Sequence, residues 1–178
     1  RITDWEDRNT CVLFADGAGA AILKPSEDPG IIYSKLGANG AYSDLLYVPY
    51  GTSKRPLKDQ RNDNFLQMKG NEVFKVAVKT LESIAKDSLK EVNMTSEDID
   101  WFIPHQANIR IIQAVSKRLN IPEKKVIISL TDHGNTSAAS IPLALDQSIR
   151  EGKIKTGDTV LLQSFGAGFT WGTVIIKI

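Results

Sequence analysis

The sequence predicts an α/β chain built around a layered sheet of mixed strand direction. Two observations carry that reading. From residue 70 onward short apolar runs alternate with helix-period segments, and the chain closes on two strands around a glycine-rich turn. Composition agrees, because 42% hydrophobic and 24% charged residues over 178 positions provide one sizeable core and little room for a second domain. No repeat, low-complexity tract or clear boundary divides residues 1–178, so a single unit is expected.

The elements follow in order. Residues 10–15 form a β-rich run that stops at Asp16 and Gly17, and residues 20–23 resume after Gly19, so two strands joined by a glycine turn are expected. Residues 31–36 read as a third strand, and residues 37–63 as a long polar loop rich in Gly, Pro, Asn and Asp. Around Gly70 the period changes. Val73, Phe74, Ala77, Val78, Leu81, Ile84, Ala85, Leu89 and Val92 recur at three and four, which marks a long amphipathic helix. Its other face carries Lys75, Lys79, Lys86 and Lys90, the pattern of a solvated surface. Trp101, Phe102 and Ile103 form a short strand stopped by Pro104. A helix over residues 107–119 follows, with Ile111, Ile112, Val115 and Leu119 inward. Residues 126–128 read as the next strand. A helix from beyond Asn135 to about Arg150 turns Ala138, Ile141, Leu145 and Ile149 to one side, with Pro142 in its early turns. Residues 159–163 and 173–176 close the chain as strands.

Charge and cysteine content narrow the function classes. Twenty-two basic and 21 acidic residues leave a net charge of +1, so no global field favours nucleic acid or an anionic membrane. A single cysteine, Cys11, permits no internal disulfide and suits a reducing compartment. No apolar run approaches the ~20 residues of a membrane span, and nothing resembles a signal peptide. The chain opens at Arg1 and enters a strand-like run almost at once, as an interrupted protein would; a processed N-terminus would look the same.

Familiar motifs fail in turn. Gly17 and Gly19 begin a G-x-G, but Ile22 stands at the third glycine position and a strand, not a helix, is expected next. No phosphate-binding loop or nucleophile elbow is present. His105 and His133 lie far apart without paired cysteines, so no metal site is expected. What remains is a pair of polar residues, His105 and Asn135, each expected where a strand gives way to a helix. Ligands gather at such places in layered α/β sheets. Neutral imidazole and carboxamide both donate hydrogen bonds, and two donors converging on one oxygen stabilise an oxyanion or enolate. On spacing alone a plainer reading also stands, with a satisfied structural histidine and an asparagine helix cap, a role open to Thr136 and Ser137 too.

Five blocks favour the first reading. Residues 101–108 (WFIPHQAN), 133–140 (HGNTSAAS) and 165–172 (FGAGFTWG), with 16–20 (DGAGA) and 70–74 (GNEVF), resemble the β-ketoacyl-acyl-carrier-protein synthase III family in the right order over nearly the whole chain. The resemblance implies the thiolase-like fold, whose two halves pack as αβαβα layers, with this chain as the C-terminal half. The nucleophilic cysteine is then expected in an N-terminal half absent from the chain, and this half alone is expected to be inactive. Cys11, inside an apolar run, is not a candidate for that role.

Within the superfamily, Asn135 fits the Cys-His-Asn triad and neither Cys-His-His nor Cys-His-Glu. The wording around it resembles the initiating bacterial and plastid type. The resemblance implies an acyltransferase that initiates fatty acid biosynthesis. It would join an acyl-CoA primer, with acetyl-CoA expected, to malonyl-acyl carrier protein by decarboxylating Claisen condensation. His105 and Asn135 would be catalytic, and the backbone N–H of Ala167 would belong to a second oxyanion hole. Gly70, Phe74, Ala107 and Asn108 would line the coenzyme A and pantetheine tunnel, with Phe165 gating the acyl pocket. Gln106, Ala107, Asn108, Ile109 and Arg110 would meet acyl carrier protein, with Lys117 on the same face. No cofactor is implied beyond the coenzyme A thioester that serves as substrate. A homodimer in the cytoplasm or plastid stroma is expected, with no nucleic acid or membrane partner. Two alternatives stay open: a relative making polyketide or quinolone starters, and a non-catalytic thiolase-fold subunit.

Overall fold

The computed structural model describes residues 2–49 and 65–178. Four strands form the main sheet: β1 (Ile31–Ala38), β4 (Trp101–Pro104), β5 (Thr159–Gly166) and β6 (Thr170–Lys177). Their order is β1-β6-β5-β4, with β6 antiparallel to both neighbours and β4 parallel to β5, so the expected mixed sheet is present. The two-residue strands β2 (Leu46–Tyr47) and β3 (Gln67–Met68) pair separately. They lie at the two described edges of the segment expected as a loop, whose residues 50–63 fall outside the described part.

Helices cover both faces of the sheet. The helix α1 (Gly70–Glu91) buries Val73, Ala77, Val78, Leu81, Ile84, Ala85 and Leu89, as its period requires, and leaves all four lysines exposed. The helix α2 (Ile109–Arg118) starts where Asn108 Oδ1 accepts the Ile111 N–H at 3.0 Å, and buries Ile111, Ile112 and Val115. Both pack on the face formed by Phe102, Leu161, Phe165 and Ile175. The alternate residues Ile103 and Val160 turn to the other face, where α4 (Ser140–Arg150) brings Ala144. Among the described residues no helix is long and apolar enough to cross a membrane.

Four expectations are corrected. Residues 10–15 are not a strand. They turn, and only Phe14 forms a bridge, to Asn135. Residues 20–23 are not a strand either, and Ile22 and Leu23 stand 97% and 77% exposed. Both runs have strand composition, but no described strand lies beside them to complete a ladder. Residues 126–128 shrink to one bridge between Val126 and Phe102. Pro104 has no N–H with which to continue that ladder, and the Gln106 side chain fills the place: its Nε2 donates to Pro104 O at 2.7 Å and Ile127 O at 3.3 Å, and its Oε1 accepts from Ser129 N at 2.9 Å. A side-chain amide thus takes the groups a longer ladder would have used.

On α4 the buried residues are Ser140, Ala144 and Ser148, whereas Ile141 and Leu145 are half-covered and Ala138 and Ile149 exposed. The small side chains allow close approach to the sheet, leaving the bulkier stripe on the less covered side. The chain between the predicted Asn135 and α4 is also more broken than expected. A four-residue helix α3 (Leu130–His133) precedes Asn135, and a 3-10 turn (Ser137–Ala139) follows it.

Candidate active site

One cleft of about 860 Å³ gathers most of the residues singled out in the sequence. His105 and Asn135 both line it, together with Gly70, Ala107, Asn108, Phe165 and Ala167. Its walls are mainly apolar, from Val73, Ala77, Leu81, Ile111 and neighbours. Within such walls a few polar groups acquire weight, because little water competes with them.

His105 leaves the carboxyl end of β4, where its N–H donates to Gln163 O at 2.7 Å and carries the parallel pairing one step further. Its ring is half-buried, and Nδ1 lies 2.6 Å from Ser140 Oγ at the first residue of α4. Burial pushes the imidazole down from 6.5 to about 4, so the ring is neutral near pH 7.

Asn135 is held by a different device. Its N–H donates to Leu13 O and its carbonyl accepts from Ala15 N, both at 2.9 Å, so the irregular segment 13–15 pins its backbone. Gly134 makes this approach possible. Its φ of 65° suits glycine, and a Cβ there would meet the Ala15 Cβ at 3.1 Å. Gly17 in the same segment serves close packing too, since a Cβ there would strike Thr136 at 2.8 Å. The side-chain Oδ1 accepts the Ser137 N–H at 3.0 Å. An N–H can only donate, so this contact identifies Oδ1 and leaves the Nδ2 amino group without a partner among the described residues. The cap-like contact and the donor therefore coexist in one side chain.

The turn between β5 and β6 supplies Ala167, whose carbonyl accepts from Thr170 Oγ1 at 3.1 Å. Ala167 is not among the residues with positive φ, so alanine is unstrained there. Phe165 sits at the same end of β5, buried against Phe169 in an edge-to-face pair with ring centres 4.6 Å apart. It is a core residue as well as part of the cleft wall.

Two sequence-derived site residues, Gln106 and Phe74, stand elsewhere than expected. Gln106 is fully buried as the brace described above, so its side chain cannot meet a carrier protein. Phe74 does not line the cleft; its ring lies 5.5 Å from the Arg110 guanidinium, which covers it. Arg110 and Ile109 are exposed outside the cleft. Cys11 is not part of the cleft lining, although Leu13 and Phe14 are. Ser140, the partner of His105, is a contact that the sequence does not announce, because 35 positions separate the two.

A mixed sheet with helices on both faces, and a histidine–asparagine pair lining one apolar cleft, agree with the thiolase-like fold that the sequence resemblance implies. Comparison with known proteins gives the family. The family model described as 3-oxoacyl-[acyl-carrier-protein (ACP)] synthase III C terminal matches residues 89–178, and the model for 3-oxoacyl-[acyl-carrier-protein (ACP)] synthase III matches residues 1–40. The chain belongs to the 3-oxoacyl-[acyl-carrier-protein] synthase III family. It is 53% identical over 177 residues to a β-ketoacyl-[acyl-carrier-protein] synthase III of Alkalilimnicola ehrlichii, covering 99% of this chain and 55% of that protein. The crystal structure of the Aquifex aeolicus 3-oxoacyl-[acyl-carrier-protein] synthase III superposes with a TM-score of 0.90 at 43% identity, over 99% of this chain and 54% of that one. The priming β-ketosynthase from the R1128 polyketide biosynthetic pathway gives a TM-score of 0.90 at 36% identity, over 99% and 53%. The chain thus spans about half the length of the relatives it matches.

Proposed function

We propose that the protein containing this chain catalyses the decarboxylating condensation of an acyl-CoA primer, acetyl-CoA being the expected one, with malonyl-acyl carrier protein, initiating fatty acid biosynthesis. The observation that carries the reading is the convergence of two neutral donors, His105 and Asn135, on one apolar cleft. In the first step a cysteine thiolate from the portion outside this chain attacks the primer carbonyl, and coenzyme A leaves as its thiolate. In the second, the malonyl carboxylate departs as carbon dioxide, and its bonding electrons pass into the thioester as an enolate. His105 and Asn135 donate to that enolate oxygen. The enolate carbon then attacks the acyl-cysteine, the tetrahedral oxyanion rests on backbone donors including the Ala167 N–H, and collapse expels the cysteine thiolate. The thioester itself accepts the electrons, so the chemistry calls for no redox group.

Gly70, Ala107 and Asn108 on the cleft wall suit the passage of a pantetheine arm. Phe74 would act there only through Arg110, and Phe165 would bound the acyl end. Arg110, with exposed Ile109 and Lys117, forms the patch offered to the acidic carrier protein. Arg118, beside this patch, is paired with Glu82 at 2.7 Å. A homodimer in the cytoplasm or plastid stroma remains part of the proposal. The R1128 relative favours polyketide priming as a second reading. Incubation of the full-length protein with malonyl-carrier protein and a panel of acyl-CoA primers tests both. Condensation with acetyl-CoA supports the first, preference for a longer primer the second, and no condensation refutes both.

A further inference from the structure

We infer that Ser140 is a positioning residue whose hydroxyl fixes the tautomer of His105, placing the ring proton on Nε2 as a donor into the cleft. The inference rests on the proposed role of His105 as a hydrogen-bond donor, and deepens it. Ser140 is 2% exposed, and its Oγ has two nitrogen partners: the Gln106 backbone N at 3.2 Å and His105 Nδ1 at 2.6 Å. The Gln106 amide can only donate, so it occupies an acceptor position on Oγ. The hydroxyl retains one proton. Among the described contacts the His105 Nδ1 is the only acceptor within its reach, and a buried hydroxyl proton left unpaired is costly. The economical arrangement is therefore Gln106 N–H to Oγ, then Oγ–H to Nδ1. Nδ1 becomes the accepting nitrogen, and the proton of the neutral ring resides on Nε2.

The chain of contacts also explains why Gln106 is buried. Its side chain ties the end of β4 to residues 127–129, while its backbone N–H orients the hydroxyl at the start of α4. A donor on α4, an imidazole after β4 and the loop leading to Asn135 are thereby held in one register. With Nε2 bearing the proton, no lone pair of His105 faces the cleft. The neutral ring then serves as an oxyanion donor and not as a base.

The test uses the full-length protein with 15N-labelled histidine. Parent protein should show a pyrrole-type His105 Nε2 and a pyridine-type Nδ1. Ser140→Ala should mix the two tautomers and lower the kcat for carbon dioxide release from a malonyl thioester about 10- to 100-fold, with KM nearly unchanged, as expected when a ring is no longer held in its productive orientation. A parent His105 carrying its proton on Nδ1 overturns the inference, whatever the variant does. So does a Ser140→Ala protein that folds and releases carbon dioxide at the parent rate. His105→Ala, measured alongside, separates the two levels. If it too keeps the parent rate, the donor role itself fails, while the nitrogen shifts still report on Ser140.

Discussion

Asn135→Asp separates the two jobs that the structure gives one side chain. Asn135 is 6% exposed; its Oδ1 accepts the Ser137 N–H, and its Nδ2 has no partner among the described residues. Aspartate has the same shape and caps as well as asparagine, so the contact to Ser137 survives and only the donor disappears. Loss of one such donor costs about 10² to 10³ in rate, equivalent to about 2.7–4 kcal/mol of transition-state stabilisation. At pH 8 the carboxylate also opposes the developing enolate, so the upper part of that range is expected. Acidification protonates the carboxyl and restores a donor, so the variant should recover activity as pH falls, unlike the parent. Asn135→Ala should lose the rate without that recovery, and up to about 2 kcal/mol of stability with the cap. Both steps are read on the full-length protein, primer transfer as radiolabel bound to protein and decarboxylation as carbon dioxide released. Bound label should persist while release collapses. Release by Asn135→Asp within about threefold of the parent, a difference too small for a lost oxyanion donor, would show that the residue only caps.

Three further outcomes are expected. Arg110→Glu should raise the KM for malonyl-carrier protein and its salt dependence while leaving acyl-CoA transfer little changed. Loss of the guanidinium over Phe74 should cost only about 0.5–1 kcal/mol, so equal damage to both substrates would refute the patch. Burial lowers the folded-state pKa of His105 from 6.5 to about 4, so the unfolded chain takes up that proton first. Its contribution to stability is complete above pH 6.5 and is lost as pH falls to about 4. His105→Gln should flatten Tm across that window, and an unchanged slope would count against a desolvated ring. Residues 1–178 expressed alone should self-associate and show no condensation. A soluble monomer with a sharp unfolding transition would contradict the apolar exposure of Trp5, Val12, Ile22, Leu23 and Leu36.

The sequence is a good guide wherever an element's partner lies within the chain. The period of α1 and α2 selects the right inward residues because both helices cover the described sheet. The same rule misleads at residues 10–15, 20–23 and along α4. Composition there records what a residue suits, not whether a neighbour is present to receive it. Ile22 has a strand residue's side chain with no ladder beside it, and Ile149 a core residue's side chain on a half-covered helix. These departures are coherent. The described residues leave uncovered the sides that, in relatives nearly twice as long, have further chain available to meet them.

The site divides along a similar line. His105 and Asn135 stand out in the sequence at breaks between elements, but only the family resemblance sets them apart from a structural histidine and a cap; the fold brings both to one cleft. What orients them was legible only where it is local. Asn135 and Ser137 are two positions apart, and a side-chain oxygen meeting the N–H two residues on is a common feature of asparagine turns. Ser140 reaches His105 across 35 positions, and Gln106 reaches Ser129 across 23, distances at which a single sequence holds no periodic trace. The family resemblance puts Gln106 at the carrier-protein surface together with Ile109 and Arg110. In the fold it sits inside, where its carboxamide replaces the ladder that residues 126–128 were expected to form. The residue whose side chain replaces the ladder is thus also the one whose backbone N–H meets the partner of His105. That coupling predicts that Gln106→Leu, which keeps the volume and loses three hydrogen bonds, should lower stability and decarboxylation together. Ser140→Ala should lower decarboxylation with a much smaller loss of Tm. Equal Tm losses in the two variants would mean that Ser140 is scaffold, and its tautomer role would have to be abandoned.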